Sequence, residues 1–248
     1  MDAFALDLDG VVWLADTPIP GAAEAVARLR AAGTPVAFVT NNSYFPADHV
    51  ADKLARVGIE PGDGVITSAM AAARLVEPGS RALVCGGPGI VEALTDRDVE
   101  TVRDGDADVV VVGFHRDFDY ERLRIAATAV RRGARLLATN DDATYPTPEG
   151  PIPGGGAIVA AVATAAGVAP EVAGKPHEAM AALVRERLGP VGVMVGDRPD
   201  TDGRFAVALG YRFALVLSGV TGRADLPVTP APDLVAEDLA GAIDAVVR

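Results

Sequence analysis

The sequence predicts an α/β protein with a doubly wound, largely parallel sheet and a second, smaller α/β domain inserted into it. Three observations carry this. Short apolar runs alternate along the chain with segments of helical period. The strand-like runs are apolar on successive residues, as strands covered on both faces require. Three of these runs end abruptly in polar residues, as strand tips do where an open α/β sheet gathers its ligand.

Taken in order, the clearest strands are residues 4–8, 36–39, 191–195 and 213–217. Between them Ala22, Val26 and Leu29 follow helical spacing, as do Met180, Leu183, Val184 and Leu188. The middle of the chain repeats the theme, with strands expected at 81–85, 108–112 and 135–138 and helices at 120–130 and 158–166. Pro78-Gly79 and Val172-Ala173-Gly174 read as crossing points. The expected division is a discontinuous core of residues 1–77 and 175–248 and an inserted domain of residues 78–174. One continuous sheet is the plainer alternative.

Composition narrows the function. The chain has 248 residues, 50% hydrophobic and 23% charged, as in ordinary globular proteins. No apolar run approaches the ~20 residues that cross a bilayer. An acid at position 2 is unlike the basic start of a secretory signal. A single cysteine, Cys85, excludes an intramolecular disulfide, and no cysteine–histidine cluster suggests zinc. A cytoplasmic location is expected, with no membrane partner. The formal charge of −12 argues against nucleic acid, which selects a basic face. It would also repel anionic small molecules at long range, so an anion site here needs concentrated local positive charge. Only two of the 22 basic residues are lysines, Lys53 and Lys175.

The chemistry-bearing residues stand at the strand tips. Asp7 and Asp9 are two apart on the first expected strand, so both carboxylates should leave it on one side. Like charges so close call for a cation or a shared proton, an arrangement suited to a nucleophile beside a general acid/base. An acidic turn after a strand is the plain alternative. It is not an EF-hand, since glycine comes at loop position four and Pro18 stands at position twelve. Asp104, Asp106 and Asp108 fail the same test and read as a solvated loop. Thr40 and Asn41 offer a hydroxyl and backbone N–H groups before a helix, either a phosphate cradle or a simple N-cap. Lys175 lies in Gly174-Lys175-Pro176-His177, where proline should open a helix whose dipole disfavours a cation unless an anion is bound. Asp197, Asp200 and Asp202 supply hard oxygen ligands of the kind Mg²⁺ takes. His49 and His115 show no ligand spacing and read as surface residues.

Asp7-Leu8-Asp9-Gly10-Val11, Thr40-Asn41-Asn42-Ser43, Gly174-Lys175-Pro176 and residues 196–202 resemble, in order, the four motifs of the haloacid dehalogenase-like superfamily. The resemblance is to its NagD-like, para-nitrophenyl phosphatase branch (subfamily IIA). Residues 138–142 and Pro153-Gly154-Gly155-Gly156 look like that branch's cap, so the likeness covers nearly the whole chain. It implies a Rossmann-like core with an inserted α/β cap, and a Mg²⁺-dependent phosphatase acting on a small phosphorylated metabolite through a phospho-aspartate. Asp7 would be the nucleophile and Asp9 the general acid/base. Asp7, the Asp9 carbonyl and Asp197 would hold the metal, with Asp202 in support. Thr40, Asn41 and Lys175 would bind the phosphoryl group. Pro199 and Gly203-Arg204 depart from the family pattern and put the local helix start in question.

The resemblance also implies a cap that closes over the site and selects the leaving group, with Asn140, Asp142, Tyr145 and His177 as specificity candidates. A homodimer through the cap is a further expectation. Trp13 either walls the pocket or packs. The rival readings are a phosphotransferase or phosphomutase using the same Asp7, and a receiver-like signalling module, for which the chain is too long. A dinucleotide site is disfavoured, because Gly154-Gly155-Gly156 lacks the later glycine.

Overall fold

Burial on both faces turns the apolar runs into strands, and the first of them shows how. In this computed structural model, which describes residues 2–62, 64–145, 147 and 149–247, β1 (Ala3–Leu6) is buried along its whole length. It stops at Leu6, two residues short of the expected end, because the Leu8 carbonyl turns to accept from the Val11, Val12 and Trp13 amides. A short hairpin follows, β2 (Trp13–Leu14) against β3 (Thr17–Pro18). Then come α1 (Ala22–Ala31), β4 (Val36–Thr40), α2 (Ala47–Arg56), β5 (Val65–Thr67) and α3 (Ser68–Ala73). The middle of the chain holds β6 (Arg81–Cys85), α4 (Pro88–Thr95), β7 (Glu100–Val102), β8 (Val109–Val112), α5 (Tyr120–Arg131) and β9 (Arg135–Ala138). A hairpin of β10 (Thr144–Tyr145) and β11 (Ile152–Pro153) precedes α6 (Gly155–Ala166) and β12 (Glu171–Val172). The chain closes with α7 (Glu178–Leu188), β13 (Gly192–Gly196), α8 (Arg204–Leu209), β14 (Arg212–Val216), β15 (Leu234–Ala236) and α9 (Leu239–Val247).

These elements form two compact units. The first comprises Met1–Thr40, Asp48–Ile66 and Lys175–Arg248. Its sheet runs β15-β14-β13-β1-β4-β5, parallel in the registered pairs from β15 to β4. Helices α1 and α9 pack on each other, and α7 packs on α8, β1 and β4. Strand order reverses between β1 and β13: β1, β4 and β5 progress one way, and β13, β14 and β15 the other. That switch point is where an open α/β sheet leaves a crevice beyond its strand ends. The tips of β1 and β13 carry Asp7 and Asp197.

The second unit comprises Asn41–Ala47 and Thr67–Gly174. Its parallel sheet runs β12-β9-β8-β6-β7, with α5 and α6 closing a core of Leu83, Val110, Val112, Ala126, Val130, Ile158 and Val162. The chain passes briefly into this unit at residues 41–47, and its main entry falls at Ile66–Thr67 and not at the expected 77–78. The buried helix α3 packs against α4 of this unit, a tertiary fact with no signature in a run as plain as Ser-Ala-Met-Ala-Ala-Ala. No described helix is long and apolar enough to cross a membrane.

His115 is a correction to the surface reading. It is buried, with Nε2 3.6 Å from the Cys85 sulfur and Nδ1 3.0 Å from Asp117 Oδ1. Burial pushes the Cys85 thiol up to about 11. The reactive thiolate is therefore scarce at neutral pH, and the sulfur is enclosed. Native protein at neutral pH should resist a thiol reagent that modifies the same chain stoichiometrically in denaturant. Rapid labelling of the native protein would contradict this burial.

Candidate active site

The site grows from β1. Asp7 follows the strand directly, and its amide still donates to the Val195 carbonyl of β13 at 2.9 Å, which holds the residue at the strand tip. Its buried carboxylate accepts from Lys175 Nζ at 2.5 Å, and the same ammonium donates to Asp202 Oδ1 at 2.8 Å. Lys175 and Asp202 are almost wholly enclosed. Lys175 is not at a helix start: α7 begins at Glu178 with His177 as its N-cap, and the carboxylates hold the lysine.

Asp197 follows β13. Its Oδ2 accepts from the Val220 amide at 2.6 Å, while Oδ1 is buried without a hydrogen-bond partner. Carboxylate oxygens of Asp7, Asp197 and Asp202 lie within 4.8 Å of one another. Asp202, expected a turn away in a supporting place, is thus one of three converging acids. Residues 199–203 form a wide π-turn whose Arg198 amide donates to Asp202 Oδ2 at 3.1 Å. This resolves the two departures from the family pattern. Pro199 opens the wide turn, and a side chain at Gly203 would strike Phe213 and Pro230.

The electrostatics follow from enclosure. Burial raises the Asp7 carboxyl well above the usual range; Lys175 lowers it, and Asp202 and Asp197 raise it again. Burial and then Asp202 push Asp197 up to about 7, against the Val220 amide and Lys175. Burial alone would depress Lys175, but Asp202 and Asp7 outweigh it and hold the ammonium charged. Three carboxylates against one ammonium leave two negative charges in a buried site, which must be met by protons or a cation. The unpartnered Asp197 Oδ1 and the all-oxygen donor set fit a divalent hard cation such as Mg²⁺. Space is kept for it by glycines. A Cβ at Gly10, which adopts φ +88°, or at Gly219 would collide with the Asp197 carboxylate, and one at Gly196 with that of Asp202.

Asp9 does not join the cluster. The strand ends before Asp9, which lies within the turn whose Val11, Val12 and Trp13 amides donate to the Leu8 carbonyl. Asp9 Oδ1 instead accepts from Trp13 Nε1 at 3.1 Å. Burial raises its carboxyl, opposed first by the charge of Lys53 and then by the Trp13 N–H. Thr40 is buried at the tip of β4 in the same unit.

The other candidates lie elsewhere in the chain. Asn41 belongs to the second unit: its carbonyl accepts from Ser68 Oγ and from Asn140 Nδ2, each at 2.8 Å, and its Nδ2 donates to Asp142 Oδ2 at 2.8 Å. Asn140 and Asp142 thus serve a network around Asn41, and Tyr145 stacks on Phe114 with ring centroids 5.7 Å apart. His177 caps α7 in the first unit. Sequence reasoning missed the loop after β14, where Ser218 Oγ donates to the Gly10 carbonyl at 2.7 Å and the Val220 amide meets Asp197. Leu217-Ser218-Gly219 was a fourth strand tip open to the same rule.

Family models agree with this geometry. Residues 4–100 match the model described as haloacid dehalogenase-like hydrolase, and residues 172–242 match a second model for hydrolases of that kind. An acid sugar phosphatase from Staphylococcus aureus is 35% identical over 231 residues, covering 90% of this chain and 89% of that protein. The chain belongs to the haloacid dehalogenase-like hydrolase family. Within this family it falls with the NagD-like, para-nitrophenyl phosphatase branch. The p-nitrophenyl phosphatase from Archaeoglobus fulgidus superposes with a TM-score of 0.92 at 33% identity, covering 98% of each chain. The glycerol phosphate phosphatase from Mycobacterium tuberculosis, solved with magnesium, is 36% identical with a TM-score of 0.90, covering 97% of this chain and 76% of that one. This hydrolase therefore has the α/β, parallel-sheet architecture that its sequence implied.

Proposed function

We propose that this hydrolase is a Mg²⁺-dependent phosphatase that cleaves small-molecule phosphate monoesters through a phospho-aspartate on Asp7. The observation that carries the reading is the Asp7–Lys175–Asp202–Asp197 cluster at the sheet's switch point. Asp7, Asp197 and the Asp9 carbonyl would hold the metal, with Asp202 closing the set. The chemistry Mg²⁺ supplies when bound is neutralisation of charge on the phosphoryl oxygens.

Lys175 favours the ionised form of Asp7 and aims it by donating to Oδ1, and with Thr40 it binds the phosphoryl oxygens. Asp7 attacks phosphorus in line. The ester P–O bond breaks toward the leaving oxygen, which takes a proton from Asp9 and departs as the alcohol. Asp9, now a carboxylate, takes a proton from water as that water attacks the aspartyl-phosphate. The P–O bond to Asp7 then breaks, giving inorganic phosphate and free enzyme. The names of the relatives above support a small phosphorylated metabolite, a sugar phosphate or glycerol phosphate among them, and hydrolysis over transfer.

The test is p-nitrophenyl phosphate turnover with Mg²⁺, followed by EDTA. Activity should vanish in EDTA and return with excess Mg²⁺. Because the metal binds the folded site, saturation at a hundredfold over its dissociation constant should add about 2.7 kcal/mol of stability, read as a higher melting temperature. Undiminished hydrolysis in EDTA, or stoichiometric labelling without turnover, would overturn the reading.

A further inference from the structure

Trp13 and Lys53, in the first unit, surround Asp9 in a way the reaction as described does not use. Trp13 is buried at the start of β2, and its indole N–H is the only hydrogen-bond donor to the Asp9 carboxyl among the described residues. The Lys53 ammonium, from the last turn of α2, stands 4.4 Å from the Trp13 ring centroid. It also donates to the Ala15 carbonyl at 2.5 Å and lies 3.5 Å from Asp16 Oδ1. One cation therefore clamps the indole face and the tip of the β2–β3 hairpin together. The Gly10 amide, donating to the Trp13 carbonyl at 2.7 Å, fixes the other end of the turn.

We propose that Trp13, held by Lys53, is a positioning residue for Asp9: its N–H reserves Oδ1 as an acceptor, so that Oδ2 carries the proton exchanged with the leaving group and with water. The inference rests on the phosphatase reading above. An indole N–H can donate but never accept, and the carbonyl oxygen of a neutral carboxyl is its better acceptor, so this bond favours Oδ1 unprotonated and the proton on Oδ2. The bond also removes the rotation that would otherwise turn the carboxyl away from the ester oxygen. A buried tryptophan usually finds some acceptor for its N–H. Here the acceptor is the acid itself, and the lysine sits on the face that keeps the ring from swinging out.

A merely structural tryptophan and a positioning one differ in how they depend on the leaving group. A p-nitrophenolate leaves without a proton, whereas an alkoxide needs one. The measurement is kcat/KM, which reports formation of the phosphoenzyme, for p-nitrophenyl phosphate and for whichever of glycerol phosphate and glucose phosphate the wild type cleaves faster. General acid catalysis contributes about 10²–10⁴-fold, so its misalignment in Trp13→Phe should cost the alkyl ester about tenfold or more and the aryl ester less than about threefold. Lys53→Met, at a half-exposed position, should show the same selective loss even if Trp13→Phe folds poorly, and Lys53→Arg should restore most of it. Equal losses on both esters, or none, in a folded Lys53→Met would overturn the positioning role while leaving the phosphatase reading intact. A wild type that cleaves neither ester would overturn that reading, and this inference with it.

Discussion

Asp7→Asn should abolish turnover, by at least about 10³-fold, while the protein folds as before. The amide keeps the shape of the side chain and can still accept from Lys175, so the loss would be of a nucleophile and not of a support. The stability arm of the prediction has a definite sign. The Asp7 carboxyl is raised by burial and by Asp202 and Asp197 despite Lys175. A group raised in the folded state contributes most at low pH, and that contribution is lost as pH rises past its ordinary value. At neutral pH without metal, ionised Asp7 therefore opposes folding, and the amide removes that opposition. In EDTA the variant should melt at or above the wild-type temperature. With Mg²⁺ it should gain less than the wild type, having lost one ligand. This is the trade of stability for activity expected where like charges are gathered for chemistry. Melting far below the wild type in EDTA would show that Asp7 is structural, and near-normal turnover would sink the nucleophile assignment.

How much of this site was legible in the sequence depends on which interactions make it. Strands covered on both faces must be apolar throughout, so the runs ending at Asp7, Thr40 and Asp197 stood out, as did polar residues halting them. What periodicity could not reach was the turn after β1. The assumption of a strand through Leu8 put Asp7 and Asp9 on one face. The Leu8 carbonyl, used three times within the turn, ends the strand, and Asp9 Oδ1 accepts from the Trp13 indole. Asp202 was legible as a support of the site, but not the wide turn of residues 199–203 that brings it beside Asp7 and Asp197. The boundary at 66–67 and the burial of His115 are tertiary: neither α3 on α4 nor the ring against Cys85 leaves a local pattern. Lys53 was noticed for its rarity among the basic residues, yet only contacts distant in sequence, with Trp13 and Ala15, give it a task.

Lys175→Met should be the most destabilising single change at the site. It removes the one ammonium bonded to Asp7 and Asp202, leaving three buried carboxylates within 4.8 Å without it. Deleting one partner of a buried ion pair typically costs about 3–5 kcal/mol, because the desolvated charge left behind is uncompensated. That loss should be measured by denaturant unfolding in EDTA. Two controls tie it to charge and not to lost packing. First, the remaining carboxylates can take up protons, and Asp197 already sits near 7 with Lys175 present. The deficit should therefore be smaller at about pH 5.5 than at about pH 8. Second, Asp202→Asn combined with Lys175→Met should cost less than the two single changes added together, since neutralising one acid relieves the charge that the missing lysine left. Saturating Mg²⁺ should return part of the stability but not the activity. The metal can offset the cluster's charge, whereas the donor that Lys175 aims at Asp7 and at the phosphoryl oxygens is gone, at about 10²–10³-fold in kcat. If Lys175→Met were as stable as the wild type at every pH, the ammonium would not be what holds these acids together, and the account of the site as acids gathered around one lysine would fail.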